Sequence, residues 1–296
     1  MARPKHSSSR QDASGEGSGG ALRLFYAPEA ARWDGVAQQP LSLPPDEAHH
    51  ALHVLRLGVG DRVRLLDGVG FFYDAELVRT GRREVEVRLL NRFASTSEPA
   101  TRLALLIGLL KNKVVEFLIQ KAVEIGVSEI VFFPAVRSVG RVETGEEAEA
   151  TERWSKIAVG AAKQCGRARL TEIAVCRSHE EAFGKIPQDA ARYLFWEEEA
   201  RNVSGGEEAE TALNAPDDLT GWAFQRNVPG RTVCLLIGPE GGLTREEVEC
   251  AREEGFEVCS LGPRILRAET AALAAASVVL YLEGDLGRIS PSEKRQ

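Results

Sequence analysis

The chain alternates between two hydrophobic rhythms. Over Leu22–Leu90 the apolar runs are short and approach a period of two, as in Arg62–Leu66 (RVRLL), Phe72–Val78 (FYDAELV) and Glu84–Leu90 (EVEVRLL). That period puts alternate side chains on one face of a strand. Gly58, Gly60, Asp67-Gly68, Gly70 and Gly81 separate the runs as turns. Asp46–Arg56 breaks the rhythm: Ala48, Leu52 and Leu55 recur at helical spacing and predict a short helix. A domain of three to six short strands must protect its edges, so a small β-barrel is expected over 21–92. Periodicity fades across NRFASTSEPA (91–100), which places a linker at 93–100.

From Thr101 onward, strand and helix patterns alternate. Arg102–Leu109, Glu129–Phe133, Thr171–Cys176, Arg192–Trp196, Thr232–Ile237 and Glu257–Leu261 read as strands. Val114–Ile125, Glu147–Gln164, Thr244–Glu254 and Ala268–Leu282 read as helices, with Gly126 and Gly166 as stops. Thr244 and Glu247 have the spacing of a capping box. The alternation predicts a largely parallel sheet covered by helices over 101–284. Ala268–Leu282 is apolar on almost every face, which predicts burial against a sheet or a second subunit.

Composition refines this outline. Hydrophobic residues make up 43% of the 296, enough to core one large or two ordinary domains. No uninterrupted apolar run reaches the roughly 20 residues that a membrane helix needs. Residues 1–20 are polar, with basic residues but no apolar segment behind them, and are expected to form a disordered tail rather than a signal peptide; 285–296 form a second tail. Cys165, Cys176, Cys234, Cys250 and Cys259 fit no zinc spacing, so no metal is expected. Their odd number without an export signal points to reduced thiols and the cytoplasm. The net charge is −7, and residues 197–218 carry eight acidic residues against Arg201 alone, which equals the whole imbalance. The remainder is therefore near neutral and can carry local basic patches, while 197–218 reads as a solvated acidic insertion.

Two stretches carry candidate chemistry: LLIGPEGGL (Leu235–Leu243) and LGPRILRAETA (Leu261–Ala271). Each leads from an apolar run through a glycine turn into a helical pattern. As scaffold, such stretches simply connect a strand to a helix. As a site, a strand ending at Ile237 delivers Gly238–Gly242 to the carboxyl edge of a parallel sheet, where ligands bind. Glycine lets backbone groups approach a ligand closely, and such groups can read adenine. The first stretch is not GxGxxG, and GxxxxGK[ST] occurs nowhere, so nicotinamide dinucleotides and nucleoside triphosphates lack their usual signatures. In the second, Ile265-Leu266 offer an apolar wall, and Arg264 and Arg267 stand near the start of the last helix. These arginines can pair with Glu240 or Glu269, or hold a phosphate or a polarised base.

Taken in order, the motifs are recognisable. His49-His50 with Val54-Leu55-Arg56, Gly60-Asp61, Asp67-Gly68, Gln120-Lys121-Ala122 with Glu124–Val127, Arg137-Ser138, Arg153-Trp154 with Ala161, Gln164 and Arg167, then IGPEGG and LGPRILRAETA, resemble the 16S ribosomal RNA (uracil-N3) methyltransferases. This is the ribosomal RNA small subunit methyltransferase E family of the SPOUT superfamily. The resemblance runs from about Leu22 to Leu282. Departures occur at Ile125, at Ala162–Cys165, at Leu170-Thr171, where a proline is usual, and in the acidic insertion.

The resemblance implies an α/β SPOUT fold with a deep C-terminal trefoil knot, preceded by a PUA-like β-barrel. It implies a homodimer with no membrane or metal, acting on 16S rRNA in the assembled 30S subunit. S-adenosylmethionine would be held by Leu236, Ile237, Gly238, Pro239, Glu240, Gly241, Gly242, Leu261, Gly262, Ile265, Leu266 and Arg267. Its methyl would pass to N3 of a uridine, with Arg267 or Arg137 stabilising the base and Glu240 or Glu269 orienting the arginine or taking a proton. Arg23, His49, His50, Arg56, Lys111, Lys113 and Arg167 are the expected RNA contacts. A SPOUT 2′-O-ribose methyltransferase and a non-catalytic RNA-binding assembly protein are the competing readings. The N-terminal HHxxxVLR segment and the Gln120–Val127 segment disfavour the first, and the intact glycine loops disfavour the second.

Overall fold

The computed structural model describes residues 22–35, 39–196 and 230–287. The predicted tail 1–20, the acidic insertion 197–218 and residues 288–296 of the predicted second tail lie outside them; 285–287 of that tail are described, and Asp285 bonds into the domain.

In the N-terminal domain β3 (Arg62–Leu66), β4 (Phe71–Thr80) and β5 (Val85–Ala94) form an antiparallel meander. β1 (Leu24–Tyr26) adds to it in parallel beside β3, and β2 (Leu41–Ser42) adds antiparallel beside β5. The order β1-β3-β4-β5-β2 leaves β1 and β2 as two ends. The expected barrel is therefore a curled, PUA-like half-barrel. Register shifts at Asp74/Ala75 and Leu77/Arg79 bend β4 against β5. The concave side is filled by Phe25, Val63, Leu65, Tyr73 and Val87, with Ala48 and Ala51. The Asp67-Gly68 turn has a defined cause. Asp67 Oδ1 accepts the N–H groups of Val69, Gly70 and Phe71, and Oδ2 accepts the Tyr73 hydroxyl.

The predicted helix at Asp46–Arg56 is α1 (Pro45–His49), running on as a π-turn over His50–Val54. It stops where Leu57 N–H donates to the Ala51 carbonyl at 2.9 Å. Arg56 lies inside that closure with φ +56°, the one non-glycine residue with positive φ among the described residues. Glycine is the usual occupant of such a position.

The linker begins later than 93. Phe93 and Ala94 still pair with Phe72 and Phe71, because β4 is long enough to hold them. Glu98 then ties the linker to the second domain: its carboxylate accepts the Ala168 and Arg169 N–H groups and pairs with Arg167 Nε at 3.1 Å. Arg167 is thus not an RNA contact. It is 3% exposed, and its Nη1 donates to the Val123 and Val127 carbonyls and to Thr171 Oγ1. The sequence placed Arg167 on the RNA surface; burial with a full set of partners makes it structural. The domains also meet through Lys163–Glu47 at 2.6 Å and through bridges from Arg169 to Gly68 and Val69.

The second domain holds a parallel sheet ordered β11-β9-β10-β6-β7-β8. Its strands are β6 (Arg102–Gly108), β7 (Glu129–Phe133), β8 (Glu172–Val175), β9 (Ala191–Phe195), β10 (Thr232–Ile237) and β11 (Glu257–Cys259). Leu103, Leu105 and Ile107 face a core with α2 (Asn112–Ile125), α3 (Glu147–Cys165) and α6 (Ala268–Glu283). Ala104 and Leu106 face another core with α4 (His179–Gly184) and α5 (Arg245–Glu253). Covered on both sides, the inner strands are apolar over most of their length, with polar residues near their first positions, which is why they read clearly in the sequence. The sheet buries α6 against β6, β10 and α2. Asp285, just past α6, accepts the N–H groups of Ala100 and Thr101 at the entry to β6.

Candidate functional site

The two glycine stretches lie far apart in sequence and meet in space. β10 sits between β6 and β9, with Ile237 opposite Ile107 on one side and Phe195 on the other. The carboxyl ends of these strands therefore share one edge. β11 adds outside β9, and the chain beyond it returns across that edge before entering α6. A cavity of about 600 Å³ opens there, within the usual size range of small-molecule sites.

One wall is Ile237, Gly238, Pro239, Glu240 and Gly242; the opposite wall is Ser260 to Glu269, with Ala271. Lys111, Val114, Phe195 and Trp196 complete the lining. Gly242 and Gly262 have φ of +71° and +93°, so each turn requires the left-handed backbone that glycine tolerates. A Cβ on Gly238 would stand 3.0 Å from the Leu243 nitrogen. The capping box predicted for Thr244 and Glu247 is present and sets the start of α5 directly after the first turn.

Ten of the twelve expected cofactor residues line the cavity. Leu236 does not: strand alternation turns it into the opposite core, where it is 1% exposed. Gly241 is at the rim, packed against Arg137 so closely that a Cβ on it would be 2.8 Å from Arg137 Cβ. Among the catalytic candidates, Arg267, Glu240 and Glu269 line the cavity. Arg137 reaches the rim from the loop after β7 and donates from Nη1 to the Gly241 carbonyl at 3.4 Å. Glu240 Oε1 accepts the Lys111 N–H at 3.2 Å, so the loops after β6 and β10 are joined.

Lys111 is the expected RNA contact that borders the cavity, with Lys113 exposed two residues later. Arg23, His49, His50 and Arg56 belong to the half-barrel. There the His49 ring lies 4.8 Å from that of His53, and the His50 ring 5.9 Å from Phe25. Sequence reasoning did not single out Val114, Phe195, Trp196 or Ser260. Phe195 and Trp196 end a strand whose position beside β10 only the sheet order reveals.

The buried thiols of Cys176 and Cys234 are poor chemistry candidates. Burial pushes the Cys176 thiol up to about 11 and raises Cys234 still further. Among the described residues no three metal-ligating side chains cluster, and no helix is long and apolar enough to cross a membrane.

Known proteins share this arrangement. Residues 96–280 match an RNA methyltransferase domain, and residues 43–90 match an RNA methyltransferase PUA domain. The ribosomal RNA small subunit methyltransferase E of Bacillus subtilis is 30% identical over 248 residues, covering 82% of this chain and 92% of that protein. The protein of the same name from Synechocystis is 30% identical over 264 residues, covering 89% and 78%. A crystal structure of ribosomal RNA small subunit methyltransferase E from Neisseria gonorrhoeae, bound to S-adenosyl methionine, superposes with a TM-score of 0.69 at 26% identity, covering 88% of this chain and 98% of that one. A Legionella pneumophila protein with bound SAM superposes at 0.71 and 26%, covering 88% and 97%. With two glycine loops closing one cavity at the edge of a parallel sheet, and a PUA half-barrel ahead of them, the chain belongs to the ribosomal RNA small subunit methyltransferase E family of SPOUT RNA methyltransferases.

Proposed function

We propose that this protein transfers a methyl group from S-adenosylmethionine to N3 of one uridine in the decoding region of 16S rRNA, acting as a homodimer on the assembled small subunit. The observation that carries this reading is the meeting of IGPEGG and LGPRILR at one cavity. Pro239, Leu261, Ile265 and Leu266 offer apolar surface to a purine, while the glycine turns offer backbone groups to its edge. When bound, S-adenosylmethionine supplies an electrophilic methyl on sulfur.

The chain's own task is to make uracil N3 nucleophilic. Loss of the N3 proton puts negative charge on the uracil carbonyls, which a fixed guanidinium stabilises. Arg267, the residue before α6, serves that role from the cavity wall, and Arg137 assists from the rim. Glu240 and Glu269 orient the arginine or take the proton through water. Lys111 and Lys113 hold phosphates at the mouth, and Arg23, His49, His50 and Arg56 present the half-barrel to RNA.

Ile265 lines the cavity yet is exposed, and Val136, the residue before Arg137, is exposed as well; this supports a second copy near the cavity. The trefoil knot belongs to the same reading. It is supported by the chain's return from edge strand β11 across the ends of β9 and β10.

The test is methylation of unmodified small subunits and of free 16S rRNA, followed by nucleoside mass spectrometry. N3-methyluridine from the assembled subunit is expected. A 2′-O-methyl product, or no product from either substrate, would overturn the reading.

A further inference from the structure

Glu247 does more than its place in α5 requires. It is 8% exposed, and both carboxylate oxygens are engaged. Oε2 accepts the Thr244 N–H at 2.8 Å, while Thr244 Oγ1 accepts the Glu247 N–H at 3.3 Å. That reciprocal pair is the capping box, a motif that glutamine completes as well as glutamate. The other oxygen, Oε1, accepts the N–H of Val136 at 2.8 Å, from the loop after β7. Two backbone donors therefore converge on one side chain. Glutamine has a single acceptor oxygen and would turn its NH2 toward one of the donors. The helix cap alone does not call for a carboxylate here; the distant loop does.

That loop carries Arg137. It is a tight turn, with Ser138 N–H donating to the Ala135 carbonyl and Ser138 Oγ accepting the Ala135 N–H. Glu247 ties this turn to α5 beside Arg137, and Arg137 in turn donates to the Gly241 carbonyl. The backbone before Arg137 and its guanidinium are thus both anchored to the segment after β10.

We propose that Glu247 is a positioning residue for Arg137, holding the guanidinium at the cavity rim where the nucleobase arrives. This rests on the methyl-transfer reading above, in which Arg137 acts on the base. Catalytic geometry is sensitive to shifts of about 1 Å, so a displaced loop lowers the rate without emptying the cofactor site.

The test uses the full-length protein with Glu247→Gln, Arg137→Ala and the double variant. Glu247→Gln is expected to slow single-turnover methylation about tenfold and to leave cofactor affinity within about threefold, while adding nothing to Arg137→Ala. An equal slowing in both backgrounds, or none in either, would assign Glu247 to the helix alone and overturn the proposal. Phenylglyoxal labelling of Arg137, read by mass spectrometry, needs no turnover. Faster labelling in Glu247→Gln is expected, and equal labelling overturns the proposal. A wild-type protein that methylates no RNA sinks the methyl-transfer reading instead, and the labelling experiment still decides the positioning.

Discussion

Gly108, the last residue of β6, faces Pro239 so closely that a Cβ on it would stand 2.6 Å from Pro239 Cδ and 2.8 Å from its nitrogen. These are ring and backbone atoms, so the contact cannot be relieved by rotating a side chain. The neighbouring strand therefore controls where the first glycine loop lies. Gly140 repeats the device, since a Cβ there would run into the Leu110 carbonyl. Glycines outside the recognisable loops are part of the site's frame.

Gly108→Ala is expected to push Pro239 into the cavity. Overpacking of this kind costs about 1–3 kcal/mol, and cofactor affinity should fall by about tenfold or more. Calorimetric titration with S-adenosylmethionine checks this. An affinity equal to wild type would show that the loop moves freely of β6.

Arg267 precedes α6 and lines the cavity without capping the helix through its side chain. Its removal should therefore spare the fold and damage chemistry. Arg267→Ala is expected to lower the single-turnover rate by about 100-fold, the scale of losing one preorganised charge donor. The thermal midpoint should stay near wild type. An unchanged rate would exclude Arg267 from the reaction.

Arg167 predicts the reverse. Arg167→Ala leaves the half-buried Glu98 carboxylate without its charge partner. Removing one member of a buried pair costs about 3–5 kcal/mol, which urea unfolding would register. The salt dependence of RNA binding should not change, because this guanidinium does not reach phosphate. A shallower salt slope with normal stability would restore Arg167 to the RNA surface.

Arg56 bears a local strain. A non-glycine residue at φ +56° costs about 1 kcal/mol or more. Arg56→Gly should therefore raise stability by about 1 kcal/mol in urea unfolding while weakening RNA binding through the lost charge. A destabilised variant would show that the side chain supports the domain.

Much of this was legible one strand at a time. β7 and β10 match their predicted limits because each is a buried apolar run bounded by turn or proline signals. Thr244 and Glu247 revealed the start of α5, because a capping box is local chemistry. α4 escaped because six residues hold too little period to detect. Arg167 misled because sequence exposes charge but not burial. The half-barrel's two open ends were likewise hidden, since strand runs do not state which edges meet.

By itself, the sequence determined the strand–helix alternation, the two glycine loops and the family they resemble. These depend on short-range patterning and on residues with special backbone freedom. Only the tertiary structure placed β10 between β6 and β9, brought Phe195 and Trp196 to the cavity, buried Arg167 against Glu98, and gave Glu247 its second partner in Val136. Each of those relationships spans residues far apart in the chain. Long-range packing, rather than local pattern, satisfies their hydrogen bonds and fills their volume.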